Sequence, residues 1–403
     1  LGYFFMLLAI ALGKKILNMF SYEQRMTEQE CFIFGGGIGI GSMGAILFFL
    51  GIFHLYYKSI MVSILLFAGL FLYKEIRWAV KAGSAFGKEL FSLKKQKIII
   101  MFSKIMLGIF IIGNFFSSLT PEVQWDSLVY HLTTAKIYAQ YHGIKEIPYD
   151  YHTYMPKQFD ILFVIGEILD LEQTGKIITY MTNLLLVAAL FYFCKRRWNE
   201  EKGILAATIF YTIPTISIYQ PTTYNDLPAT FFLFLACMAV FKIQEEKKWV
   251  YLAGFFLGCA SATKIVMISF FVFFSGALFF IMRRPEQKRW VRQYFSLVSI
   301  LGLTGIAVLA PWLTVTYFQT GNPVYPFFYE IFGGEYWNEE LDQWWTNLRE
   351  EYGMGRTWTA YLAAPWYLTM SPMRYGPVYG FTPLFLIFLP LFFLVMKNKT
   401  TEE

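Results

Sequence analysis

The sequence predicts an all-α polytopic membrane protein, a bundle of about ten or eleven transmembrane helices. Composition is the first sign. Of 403 residues, 56% are hydrophobic and only 15% are charged, whereas soluble domains carry about a quarter charged residues. Such a chain cannot cover its surface with polar groups in water, but lipid suits it. The second sign is a recurrence of apolar runs close to the roughly twenty residues a span needs. The third is charge placement. The net charge of +6 sits in short connections on alternate sides of these runs, as cytoplasmic loops require. That distribution argues against a nucleic-acid surface.

In order, residues 1–12 read as a partial first span, followed by a polar stretch with Lys14, Lys15 and Arg25. The chain starts inside an apolar run and ends just after another, so a piece of a longer protein is expected. Residues 31–55 form a second span containing GGGIGIGSMG. No strand precedes these glycines and no G-K-[ST] follows, so they read as small residues that let two helices approach. A third span covers 60–73. The most basic segment comes next, with Lys74, Arg77, Lys81, Lys88, Lys94, Lys95 and Lys97 against Glu75 and Glu89. That side is expected to be cytoplasmic. The fourth span, 98–119, then leads outward.

The polar segment that follows, 120–160, holds three of the four histidines. It is too aromatic to be disordered. Thr120 and Pro121 suit an N-cap and first turn, so DSLVYHLTTAKIYAQY reads as a surface helix ended by Gly143 and Pro148. The apolar stretch 159–171 is short for a span and suits a re-entrant or half-buried helix. Spans follow at 177–194, 203–219, 227–241, 250–264, 265–282 and 294–318. A second outer segment, 319–376, is acidic, with a short apolar helix at 361–370. A last span covers 381–396. The organisation is thus 1–97, N-terminal helices and a basic loop; 98–396, a catalytic membrane domain with outer loops 118–176 and 319–376; and 397–403, a tail. The four cysteines lie in or beside apolar segments without C-x-x-C spacing and read as small hydrophobes.

Polar candidates gather on the outer face. Asp126 lies just after a span exit, with Tyr130 one turn on, as His131 is from Ser127. Asp226 opens a span in TTYNDLPATFF. Either carboxylate can cap or complement a helix dipole; as a pair on one face, one can serve as general base while the other orients substrate or cation. Lys264, between two apolar runs, either snorkels or meets a phosphate. His131, Lys157 and Arg374 are weaker candidates for the same charge. Tyr336, Trp337, Trp344 and Trp345 read as interface anchors or as sugar platforms.

WDSLVYHLTTAKIYAQYHGI followed by YMPKQFDILF resembles the first outer loop of bacterial multi-pass glycosyltransferases of the GT-C superfamily. The relatives in view are the protein mannosyltransferase and aminoarabinose transferase families. TTYNDLPATFFLFLA, GCASATKIVM, APWLTVTYFQTGNPVYPF and APWYLTMSP continue the resemblance in order. It implies a GT-C-type bundle whose two long extracytoplasmic loops carry short interfacial helices. It also implies a multi-pass enzyme of the plasma membrane, taking sugar from a polyprenyl-phosphate donor to a lipid-linked glycan or cell-envelope acceptor outside. Asp126 and Asp226 then match the catalytic carboxylates. Lys264, with Arg374, matches the donor-phosphate cations. Glu122, Tyr130, His131, Tyr154, Lys157, Tyr224 and Asn225 are expected to line the site. The sequence departs from the pattern in having three earlier spans, Thr133 for a common proline, and Glu122 with Asp126 for an adjacent Asp-Glu pair. A divalent metal is left open, since no ligand spacing is diagnostic. The alternative function is a transporter or flippase of lipid-linked saccharide, which should place ionisable groups at mid-membrane.

Overall fold

In the computed structural model the described residues are 1–92, 96–283, 289–375, 383 and 386–388. Among them there are helices and no strands. Six helical stretches are long and apolar enough to cross a membrane: α1 (Gly2–Met19), α2 (Glu28–Ile52), α5 (Ile98–Ser118), α8 (Thr174–Arg197), Ile265–Met282 and α14 (Trp290–Thr320). A bent pair, α3 (Lys58–Phe71) and α4 (Tyr73–Leu90), makes up to seven. The expectation of ten or eleven also counted α9 (Glu200–Tyr211), α11 (Asp226–Lys242) and α12 (Trp249–Thr263). These are shorter helices of 12, 17 and 15 residues. It further counted 381–396, most of which lies outside the described residues.

Several boundaries move for physical reasons. The first span is not partial: α1 runs to Met19, because Lys14 is buried against Glu23 and over the Trp78 ring. The expected span 203–219 breaks before Pro214, whose missing N–H starts the separate helix α10 (Pro214–Tyr219). The expected Thr120 cap is not used. Residues 121–124 have no regular secondary structure, and the loop helix begins at Trp125. Its first turn is a π-turn, Ser127–His131, which runs into α6 (Leu132–Gln140). Where a re-entrant or half-buried helix was expected near 159–171, Asp160–Phe163 and α7 (Val164–Ile168) form short helical turns that are largely buried.

The bundle has one large apolar core, running from Phe5 in α1 to Trp312 in α14. Backbones touch where glycines permit. A side chain on Gly39 would overlap the Ala9 carbonyl oxygen, and one on Gly13 would overlap the Gly35 carbonyl. The glycine run is therefore the seam between α1 and α2. Gly276, by contrast, faces open space. Gly39→Val should cost about 3 kcal/mol of stability by overpacking. Thermal unfolding in detergent, with Gly276→Ala as an unaffected control, checks this.

The second outer segment carries α15 (Tyr329–Phe332), α16 (Glu339–Glu351) and α17 (Trp358–Met370). Asn338 caps α16, with Glu339, Glu340 and Asp342 in its first turn. Trp337 is not an interface anchor. It is buried in a satellite cluster with Tyr154 and Tyr325, and Trp345 packs against that cluster. Trp344 remains half exposed.

Candidate functional site

The site is built where three chain segments meet: the π-turn after α5, the turn before α11, and the break after α12. Asp126 stands at the start of the π-turn without accepting a capping hydrogen bond. Its charge acts on the Tyr130 and Tyr224 phenols. Asp226 lies in the first turn of α11 and is ion-paired with Lys264, the residue that ends α12. Both aspartates act on the same tyrosines. Burial, then Asp126, pushes the Tyr130 phenol far above its ordinary range, with Asp226 adding to it. Tyr224 is pushed up to about 12 by burial, then by Asp126, with a smaller push from Asp226. The charges of both carboxylates thus reach the Tyr130 and Tyr224 phenols. Lys264 does not snorkel alone: its partner is Asp226, and both side chains remain about two-fifths exposed.

Below this rim lies a buried group that the sequence did not single out, centred on Asp160. Its Oδ2 meets His131 Nδ1 at 2.8 Å and Lys157 Nζ at 3.7 Å. Its Oδ1 accepts from Asn225 Nδ2 at 3.2 Å, and the same amide donates to the Thr263 carbonyl at 3.1 Å. Asp160, His131 and Lys157 are each at most 3% exposed. Three residues of this network stand one position from a rim group: His131 beside Tyr130, Asn225 beside Asp226, Thr263 beside Lys264. Burial raises the Asp160 pKa, but His131, Lys157 and Asn225 outweigh it and hold the carboxyl below its usual range. Burial also lowers Lys157, against the pull of Asp160 and Asp150. The only local signal for Asp160 was an acidic residue opening the apolar stretch DILFVIGEIL.

The other expected residues fall in different places. Tyr130, His131, Tyr224 and Asn225 surround the rim and its base. Lys157 lies under it, 5.6 Å from the Tyr130 ring centroid, too buried to meet a substrate phosphate directly. Glu122 is a brace: Oε2 accepts from the Thr223 amide and hydroxyl at 2.9 and 3.1 Å, and Oε1 from Val123 and Gln124. Lys176, also missed, adds a second brace by donating to the Thr120 and Pro121 carbonyls. Tyr154 is buried away from the rim, stacked on Tyr336 at 5.8 Å. Arg374 is exposed beyond α17, over the Tyr367 ring. His152 joins the site from below, stacked 4.3 Å from Tyr130 and hydrogen bonded to Asp150 at 2.8 Å.

The rim is edged with grease. Trp125 beside Asp126 is 76% exposed and Leu128 is 49%; Val266, just past Lys264, is 52%. On the far side of α6 lies a polar hollow of about 640 Å³, with Lys58, Lys136, His142, Glu167, Asp170 and Glu172 among its walls. Among the described residues, no three His, Cys, Asp or Glu side chains are grouped as ligands for a metal ion.

A polar rim of this kind on an all-helical, multi-span bundle defines a polytopic membrane protein with one composite site. The family model described as Dolichyl-phosphate-mannose-protein mannosyltransferase matches residues 168–314, and the match supports a glycosyltransferase of the GT-C superfamily. The matched stretch contains Asn225, Asp226 and Lys264; Asp126, His131 and Asp160 precede it. No curated protein and no solved structure matches the chain.

Proposed function

We propose that this protein transfers a sugar from a polyprenyl-phosphate donor to an acceptor at the extracytoplasmic face of the plasma membrane, with inversion at the anomeric carbon. One observation carries the reading: Asp126 and the Asp226–Lys264 pair converge on Tyr130 and Tyr224, at a rim flanked by exposed apolar side chains. Carboxylate, ammonium and apolar flank are the parts such a transfer needs. Asp126 takes the proton from the acceptor hydroxyl as the new glycosidic bond forms. The bond from the sugar to phosphate breaks, and the phosphate leaves with the electron pair towards Lys264. Asp226 holds that ammonium in place before the donor arrives. Trp125, Leu128 and Val266 offer a surface for the prenyl chain.

The hollow beyond α6 presents charges of both signs and suits the hydroxyl-rich body of a glycan acceptor. Asp160 acts from beneath as a positioning residue, setting the spacing of the three rim segments.

Lys264→Ala should weaken binding of polyprenyl phosphate about tenfold, the loss of one charge-assisted contact. Titration of the purified protein with the lipid phosphate alone reads this. An unchanged affinity removes the phosphate role. Appearance of sugar covalently bound to acceptor, against passage of intact lipid-linked sugar across a vesicle, separates transfer from flipping.

A further inference from the structure

We propose that α4 is a membrane-surface helix that binds anionic phospholipid headgroups along a four-cation rail. The helix turns 76° from the apolar α3 and then crosses one end of the bundle. Its Trp78 lies under Lys14 near the end of α1, at 4.3 Å. Its Phe86 packs on Phe32 near the start of α2 and on Phe191 near the end of α8. A helix laid across the ends of three spans lies at the membrane surface, not through it.

Its two faces differ completely. At about 100° per residue, Ala79, Ala82, Phe86 and Leu90 fall within one arc of about 80°, and all four are buried. Lys74, Arg77, Lys81 and Lys88 fall within about 60° on the opposite side, and all four are exposed. The rail runs about 21 Å along the helix. The acids of α4 are turned inward and spent on other cations, Glu75 on Lys15 at 3.1 Å and Glu89 on Lys195, with the Gln29 amide also donating to Glu89. Among the described residues no carboxylate is ion-paired with the rail cations; Arg77 lies over the Tyr73 ring. Exposed Tyr73 and Val80 lie beside the rail and give it an apolar edge. An ordinary solvated face mixes signs. A single-sign rail with an apolar border, continuous with the spanning helices, fits the phosphates of an anionic lipid surface.

The test uses the full chain reconstituted in phosphatidylcholine vesicles with trace spin-labelled phosphatidylglycerol or spin-labelled phosphatidylcholine. The native protein should prefer the anionic probe several-fold, and salt should weaken the preference. Changing Lys74, Arg77, Lys81 and Lys88 to Gln should bring the ratio to about one. Replacing the three lysines by Arg should preserve it, which separates loss of charge from loss of fold. A ratio unchanged in the Gln variant overturns the proposal. So does a native chain that binds soluble polyphosphate through the rail yet shows no lipid preference.

Discussion

Asp126→Asn should lower sugar transfer about a thousandfold, within the range for loss of a positioned base, while the protein stays folded and inserted. The asparagine keeps the size of the side chain, so the surrounding packing survives. What it lacks is a site for the acceptor's proton. Binding of polyprenyl phosphate alone should be nearly unchanged, because Asp126 is not the group facing the leaving phosphate. Transfer of radiolabelled sugar, set beside thermal unfolding of the same preparation, checks this. Retained transfer would return Asp126 to a purely electrostatic role at the helix start.

Asp160→Ala should be the most damaging single change to the fold of the site. It removes the acceptor for His131 and Asn225 and leaves Lys157 buried without its nearest counter-charge. Breaking a buried pair in this way costs about 3–5 kcal/mol. Asp160→Asn combined with Lys157→Met should recover part of the stability by removing both charges. It should not recover activity, since the link to Asn225 and His131 is altered. The pH dependence has a definite sign. The Asp160 carboxyl titrates lower folded than its ordinary value of 3.8. Its contribution is therefore fully present above that ordinary value and lost as pH falls through the folded one. Thermal unfolding between pH about 3 and 7 should show an acid-side loss that is smaller in the double variant.

Much of the bundle was legible because hydropathy and length are local. Spans 98–119, 177–194 and 294–318 correspond to α5, α8 and α14. The small-residue reading of GGGIGIGSMG was legible for the same reason, and the seam with α1 bears it out. The bend between α3 and α4 was hidden, because an apolar run passes into a basic one without proline or glycine at the joint. The start of the loop helix was misplaced because Thr120 and Pro121 look like a cap, whereas Lys176, and Thr223 through Glu122, hold that segment from elsewhere in the chain. At the site, the rim residues Asp126, Asp226 and Lys264 could be chosen by position. Their supports could not. Asp160 reaches partners 29 and 65 positions away, and no local pattern encodes such a meeting. Glu122 shows the converse: a carboxylate placed correctly near the site, but already saturated by backbone and threonine donors.

The central claim is that one lipid-accessible rim sets Lys264, held by Asp226, at the donor phosphate and Asp126 at the acceptor hydroxyl. Photo-crosslinking with a polyprenyl phosphate bearing a diazirine near its phosphate end tests this most directly. Adducts mapped by mass spectrometry should fall on residues adjoining Asp126, Tyr224 and Lys264, and excess unlabelled lipid phosphate should abolish them. Competed adducts confined to the other end of the bundle, around α4, would contradict the account.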